Sequence, residues 1–564
     1  MQGWRLPFKG IVFLWLINSF STWAELRDAP FIRQQEQQQA LEQQITPPTP
    51  DVHLSPPPSS DIGLNTFPQE TPCFPIKQVI LTGRQQLPLW LPLQSLANQA
   101  QGHCLGVQGI NLLMSRLQNR LIESGYITTR VLATEQNLNS GFLQLLLLPG
   151  KIGRVYLTPD SDHYLQLYST FPVHAGELLD LRDIEQGLEN LQRLPTVKAN
   201  MEIVPGKHPG ESDIALRWQQ DRHWRLGASL DDSGSKNTGI YQAGLTLSID
   251  NPFSLSDLFY LSVNHAVPGS SGKKSKNITG HYSLPFSKWM TGVTVNGYDY
   301  QQTIAGLDQD HRYSGNSKNL DVKFSRVLYR NSRQKTMLAY HLLARESNSY
   351  INDAEVNVQR RRTAHWRLGL QQQRTLWPGN TSQGKLDASI SYQRGTRWFG
   401  ALPALEEKYG EATALSNIMQ LNAQLDVIFS LLGQNFRYNT QYRHQISYTP
   451  LTPQEQFTIG NRWTVRGYDG EHTLNADCGW YLRNDLAWRT PLPHQELYLG
   501  ADYGEVSGHG SDYLAGKRLA GGVIGLRGNA LRLAYDFFVG MPFAKPARFS
   551  ARPVTFGFNL NWQY

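Results

Sequence analysis

The sequence predicts a mainly β protein: a membrane-spanning barrel of about sixteen strands, preceded by two small α/β units and a polar helix. Three observations predict it. Over residues 222–564 apolar side chains recur at every second position in segment after segment, and the connections alternate between short and long. Beyond the N-terminus no run of eighteen apolar residues occurs, so no helix is expected to cross a membrane, whereas barrel strands escape a hydropathy average. The chain also stops on an aromatic strand, with Val554, Phe556, Phe558, Leu560, Trp562 and Tyr564 on one face and Thr555, Gly557, Asn559, Asn561 and Gln563 on the other. A soluble sandwich strand shares that last pattern; the barrel follows from its recurrence upstream.

Residues 1–24 read as a secretory signal. Arg5 and Lys9 precede an apolar run over residues 11–17, too short to span a bilayer, and Thr22-Trp23-Ala24 offers a small-residue cleavage site. Residues 25–45 form a helix candidate with seven Gln. Its apolar residues, Phe31, Ile32, Ala40 and Leu41, make no broad face. That suits a rod in a water-filled cavity, or a disordered Gln-rich tail. Residues 46–72 are rich in Pro and Ser and read as an extended, semi-rigid tether.

Residues 73–150 and 151–221 each read as strand, two helical stretches and two strands. In the first, strands are expected over 74–81, 129–134 and 142–148, with helices over 91–100 and 108–124. The second helix places Ile110, Leu113, Leu117 and Leu121 at spacings of three and four. In the second unit, strands are expected over 152–157, 198–204 and 214–218, around a helix over 181–194. The repetition marks an internal repeat, and each small sheet leaves an edge where an extended peptide can add. Export makes Cys73 and Cys104 a candidate disulfide, contributing about 3–4 kcal/mol on the loop-entropy model; the alternative is two free thiols. Cys478 stands apart and receives no role.

From residue 222 onward only strands are legible. Tyr241, Ala243, Leu245, Leu247 and Ile249 oppose Gln242, Gly244, Thr246, Ser248 and Asp250. Residues 436–448 repeat the pattern, and Trp480, Leu482, Leu486 and Trp488 oppose Arg483, Asp485 and Arg489. A polar face with charges of both signs suits a wet lumen. Residues 250–252 and 490–493 read as tight turns, and 265–280 and 300–318 as long hydrophilic loops. The formal charge of +7 comes with no dense basic stripe, so nucleic acid is not an expected partner. Fifteen His are scattered singly, and GxSxG, HExxH, P-loop and paired CxxC motifs are missing. No catalytic, metal, nucleotide or cofactor site is therefore expected.

Two motifs carry a family resemblance. Val465, Arg466, Gly467 and Tyr468 form a VRGY tetrapeptide between two barrel strands, and Gly500, Asp502 and Gly504 form G-x-D-x-G in a strand just downstream. With the two α/β units, the cysteine pair in the first, and a polar helix ahead of a Pro-rich tether, the chain resembles the outer-membrane transporters of two-partner secretion, the TpsB family. It is similar to their haemolysin-transporter branch, within the superfamily of polypeptide-transporting barrels with periplasmic POTRA domains. The likeness covers essentially the whole mature chain.

The resemblance implies that residues 73–150 and 151–221 are POTRA domains in the periplasm of a Gram-negative bacterium. It implies that the VRGY loop folds back into the barrel, pairing Arg466 with Asp502, and that the helix over residues 25–45 is a plug that leaves when substrate engages. Alternation along the strand agrees for Asp502, because Leu497, Leu499, Ala501 and Tyr503 take the apolar face; Gly500 and Gly504 leave room for another chain. Val465, Gly467 and Tyr468 are expected as packing and turn residues. The implied partner is a secreted TpsA-type exoprotein (haemolysin, adhesin or contact-dependent toxin) engaged through its N-terminal secretion domain, with outer-membrane lipid around the barrel. Two rivals are a barrel-protein assembly factor of the same superfamily and a passive porin. Only two POTRA-like units and the Gln-rich helix speak against the first, and periplasmic units without a purpose speak against the second.

Overall fold

The computed structural model describes residues 30–42, 52, 54, 66–269, 272–305, 309–377 and 382–564. The signal expected over residues 1–24 and most of the tether lie outside them. Residues 30–42 are helical (α1) and stand inside the barrel.

The first α/β unit comprises β1 (Phe74–Pro75), β2 (Gln78–Thr82), α2 (Leu93–Ala97), β3 (Cys104–Leu105), α3 (Val107–Glu123), β4 (Arg130–Ala133) and β5 (Phe142–Leu148). Its sheet runs β2-β5-β4, with β2 parallel to β5. Leu113, Leu117 and Leu121 of α3 are fully buried against Val79, Leu143 and Leu145. The single strand expected over 74–81 is broken in two. Its first residues pair with β3 next to the Cys73–Cys104 disulfide, and only then does the chain enter the main sheet. The helix expected over 91–100 is shorter as well, ending in a 3-10 turn at Asn98–Ala100.

The second unit comprises β6 (Lys151–Leu157), α4 (Leu167–Thr170), α5 (Leu181–Gln192), β7 (Val197–Pro205) and β8 (Glu211–Gln220), with sheet order β6-β8-β7. Asp180 caps α5, its carboxylate accepting the Arg182 N–H at 2.8 Å. Ile184, Leu188 and Leu191 pack under Ile214, Leu216 and Trp218.

The barrel begins with β9 (Trp224–Asp231), β10 (Gln242–Asp250), β11 (Leu258–Ala266), β12 (Lys274–Phe286), β13 (Trp289–Ala305), β14 (Asp310–Arg330) and β15 (Gln334–Ile351). A two-residue piece, β16 (Ala354–Glu355), precedes β17 (Arg361–Leu376), β18 (Ser382–Thr396), β19 (Asn417–Leu431) and β20 (Gln434–Ser447). A short inner hairpin follows, β21 (Phe457–Ile459) and β22 (Leu474–Ala476). Then come β23 (Cys478–Arg489), β24 (Gln495–Ser507), β25 (Arg518–Ala530), β26 (Leu533–Ala544) and β27 (Thr555–Gln563). Sixteen long antiparallel strands close the cylinder, β27 pairing with β9 over Asn559–Gln563. Closure leaves the barrel no open edge.

The loops expected over 265–280 and 300–318 are in large part strand: β12 starts at Lys274, and β13 and β14 are separated only by residues 306–309. Beyond the apolar band both faces of a strand meet water, so alternation fades although pairing continues. The β10–β11 connection, expected as a tight turn, instead spans residues 251–257 and touches the second unit, where Asn251 donates to the Tyr164 carbonyl at 2.7 Å.

The second unit is fastened to this rim through α5. Arg330 meets Glu185 at 3.1 Å and Glu189 at 2.9 Å, Lys335 meets Glu189 at 2.8 Å, and Lys288 meets Asp183 at 2.6 Å. Glu185 and Glu189 also accept the backbone N–H groups of Leu54 and Val52. Those tether residues are thereby held at the same junction.

Candidate functional site

The segment between β20 and β23 folds back into the barrel. The β21–β22 hairpin supplies Phe457, Ile459, Leu474 and Ala476 to a small apolar core with Val465, Tyr468, Tyr481, Val506, Leu519 and Phe549. Such a core inside an otherwise polar lumen fixes the direction of the loop tip.

At that tip Arg466 is almost wholly enclosed, its side chain 3% exposed and that of Asp502 0%. Arg466 Nε donates to Asp502 Oδ2 at 2.7 Å and Nη2 to Oδ1 at 2.8 Å, a bidentate fork. The Arg466 backbone N–H donates to the same carboxylate at 3.0 Å. Nη2 also donates to Asp485 Oδ1 at 2.6 Å, and Arg527 approaches the other oxygen of Asp485 at 3.3 Å. Two cations thus face two carboxylates, so neither sign is left uncompensated.

Glycines let the tip approach this closely. A Cβ on Gly521 would stand 1.9 Å from the Arg466 carbonyl oxygen, one on Gly500 2.5 Å from Arg466 Nη2, and one on Gly504 2.8 Å from a Val465 methyl. Gly467 has φ +95°, and a Cβ there would meet the Met541 carbonyl oxygen at 2.3 Å. The Tyr468 hydroxyl lies between the carbonyls of Ala544 (2.8 Å) and Ala520 (3.0 Å). Those carbonyls flank a bulge, since Ala520 pairs with Ala544 but Gly521 with Pro542.

α1 stands beside the loop. Its Arg33 donates to the Gly470 and Gly234 carbonyls, and Glu36 accepts both of its hydrogen bonds from Asn461 at 2.9 Å. The opposite side faces β12–β14 with a stripe of Phe31, Gln34 and Gln38, all buried. Phe31 packs edge-on against Tyr300 with centroids 5.2 Å apart, next to Tyr298 and Tyr313. Gln34 donates to Asn296 Oδ1 at 2.7 Å. Gln38 Oε1 accepts from Thr279 (2.8 Å), Asn296 (3.1 Å) and Asn277 (3.3 Å).

The structure thus brings Val465, Arg466, Gly467, Tyr468, Gly500, Asp502 and Gly504 into one cluster, with Cys73 and Cys104 far away in the first α/β unit. Residue reasoning missed Asp485 and Arg527, although Asp485 sits on a lumen face already recognised as charged. It also missed the junction of Glu185 and Glu189 with Arg330 and Lys335. The legible signal there was an acidic i, i+4 pair, Glu185 and Glu189, on one face of α5.

Comparison with known proteins places these features together. Residues 210–528 match the family model described as haemolysin secretion/activation protein ShlB/FhaC/HecB. Residues 74–150 match the ShlB-type POTRA domain and residues 151–205 a further POTRA domain. The chain is 34% identical over 519 residues to the outer membrane transporter CdiB-2 of Burkholderia pseudomallei (strain 1026b), covering 88% of each chain. It is 27% identical to the hemolysin transporter protein ShlB of Serratia marcescens, over 78% of this chain and 77% of that protein. Among solved structures, CdiB from Acinetobacter baumannii superposes with a TM-score of 0.81 at 28% identity, covering 95% of this chain and 99% of that one.

Proposed function

Because the chain belongs to the haemolysin secretion/activation family of outer-membrane transporters, we propose that its lumen is filled at rest by two of its own segments and opens to a secreted polypeptide when α1 withdraws. The protein is an outer-membrane pore of two-partner secretion, with its POTRA domains in the periplasm, and it translocates a large, unfolded, β-rich exoprotein to the cell surface. Transport, not catalysis, is its activity.

The exoprotein engages through its N-terminal secretion domain, which adds as an extended strand to a POTRA sheet. Among the described residues β4 and β7 each pair on one side only, which supports this route. The chain then threads past the seat of α1, with outer-membrane lipid around the barrel. Val465, Arg466, Gly467 and Tyr468, with Gly500, Asp502 and Gly504, hold the folded-in loop. The Cys73–Cys104 disulfide holds the first POTRA domain.

The observation that carries this reading is the contrast inside one pore between a loop fixed by a buried ion cluster and a helix held by dispersed hydrogen bonds in each of which at least one partner is neutral. The test is co-expression with a candidate TpsA-type exoprotein. Deleting residues 25–44 should raise single-channel conductance in planar bilayers, and the intact chain should deliver the exoprotein to the medium. Unchanged conductance together with loss of other outer-membrane barrels, but not of the exoprotein, would overturn the reading in favour of barrel assembly.

A further inference from the structure

The outer face of the barrel, from the wall that seats α1 round to β18, carries three cations that form no ion pair among the described residues. Lys276, Lys318 and Arg394 are exposed, whereas Ser275, Asn277, Ser317 and Gln393 beside them on the same strands are buried. Alternation therefore directs the three cations away from the lumen.

They share a height. Measured along its own strand from the periplasmic end, Lys276 stands ten residues from Phe286, Lys318 twelve from Arg330 and Arg394 twelve from Ser382. At a rise of ~3.3 Å per residue and a tilt of ~40°, that is about 25–30 Å, the top of the lipid-facing apolar band. Ile278 and Leu320 occupy the next outward positions below the lysines, and Tyr392 and then Ile390 those below Arg394; the two Ile and the Leu are exposed and Tyr392 is half-buried.

Among the described residues none of the three forms an ion pair: Asp299, opposite Lys276 in register, does not close on it, and Glu346, opposite Lys318, turns to Arg362 instead. Arg362, also at this rim, is tied to Glu346 at 2.9 Å. On the other side of the barrel Arg518 stands twelve residues from Ala530, and Glu505 meets it at 3.2 Å.

We propose that Lys276, Lys318 and Arg394 bind the phosphate groups of phosphorylated glycolipid in the outer leaflet, fastening the flank of the barrel from β12 to β18 to the membrane. A phosphate monoester carries between one and two negative charges near neutral pH, which a guanidinium meets bidentately and an ammonium as a point charge. Acyl chains attached to that phosphate lie along the apolar residues directly below. A polypeptide in the lumen does not reach these side chains, because they stand on the opposite face of the wall. The inference rests on the outer-membrane placement and not on the transport role, so its failure leaves secretion untouched.

The test uses the purified full chain in detergent, with a bis-phosphorylated glucosamine glycolipid (lipid A) and its dephosphorylated form as probes. The readout is heat-induced unfolding of the barrel, followed by gel mobility. The phosphorylated form should raise the unfolding temperature and the dephosphorylated form should not. Lys276→Gln, Lys318→Gln and Arg394→Gln combined should weaken the apparent affinity about tenfold. Arg518→Gln should leave it unchanged, and the charge-conserving pair Lys276→Arg and Lys318→Arg should retain binding even if the triple variant folds poorly. Equal stabilisation by the dephosphorylated lipid, wild-type affinity in a folded triple variant, loss of affinity in the Lys-to-Arg pair, or an equal loss in Arg518→Gln would overturn the proposal.

Discussion

Two pieces of one chain occupy the same lumen, and they are held by opposite physics. The loop tip presses into a glycine-lined wall, where a guanidinium is shared by two buried carboxylates and an apolar core backs it. α1 touches β12–β14 through amides, a hydroxyl and one aromatic ring, and elsewhere through Arg33 on backbone carbonyls, Glu36 on the Asn461 amide and Arg345 on the Gln35 amide. Removing one partner of a buried ion cluster strands a charge, while an amide that loses an amide finds water. The difference teaches that one lumen can hold one segment by a buried ion cluster and another by dispersed hydrogen bonds.

The sharpest way to break this contrast is Arg466→Ala. It leaves Asp502 buried without its cation and should cost about 3–5 kcal/mol of loop docking. Secretion should fall strongly while the barrel still inserts, as read by heat-modifiable mobility. Adding Asp502→Ala should cost less than the sum of the single changes, a coupling that a double-mutant cycle measures. Wild-type export by both single variants would remove the fixture from the account.

Gly521→Ala comes next. Its methyl would collide with the backbone oxygen of Arg466, whereas at Gly280 no heavy atom lies within 4 Å. Gly521→Ala should displace the loop at roughly 1–3 kcal/mol, and Gly280→Ala should change neither secretion nor protease resistance of the loop. Equal effects at the two glycines would refute the close-approach argument.

Smaller still is the helix side. Gln34→Ala with Gln38→Ala should loosen α1 by about 0.5–1.5 kcal/mol per lost hydrogen bond, seen as more frequent openings in planar bilayers with secretion retained. Should openings stay as rare as in wild type, the amide stripe would not be what retains α1.

A pH-dependent effect lies outside the pore, at the junction of the two POTRA domains. Burial, and then the neighbouring Asp183, push the Asp180 carboxyl up to about 6. Tyr126 lies beside it and Lys288 and Arg182 oppose the shift. A carboxyl raised in the folded state binds its proton more tightly there. The junction is therefore firmest at low pH and loses stability as pH climbs from about 4 through 6, on the order of 1–2 kcal/mol. Protection of the Leu181 amide, which donates to the Gly125 carbonyl at 3.0 Å, should fall from pH 5 to pH 8 after correction for intrinsic exchange. Asp180→Asn should flatten that dependence.

Much of the architecture was readable from side-chain period alone. Alternation survives wherever one face of a strand meets lipid, so β24 and β27 declare themselves, and α3 and α5 do so by spacings of three and four. The period fails where both faces are wet, which hid the upper parts of β12, β13 and β14. It also fails where the buried face of a helix is polar: Phe31, Gln34 and Gln38 follow helical spacing, yet a search for apolar residues finds only the first. Arg466 and Asp502 were nameable through the motifs around them. Asp485 and Arg527 were not, because which lumen charges meet depends on the register between strands, and no local pattern reports it.

The barrel wall is also of unequal height, with 17, 21 and 18 residues in β13, β14 and β15 against 9 each in β10, β11 and β27. The mouth is therefore cut on a slant, like the lip of a jug. A polymer leaving it meets a backbone palisade on one flank and a low sill on the other, so its first segments to reach open water spill over the sill.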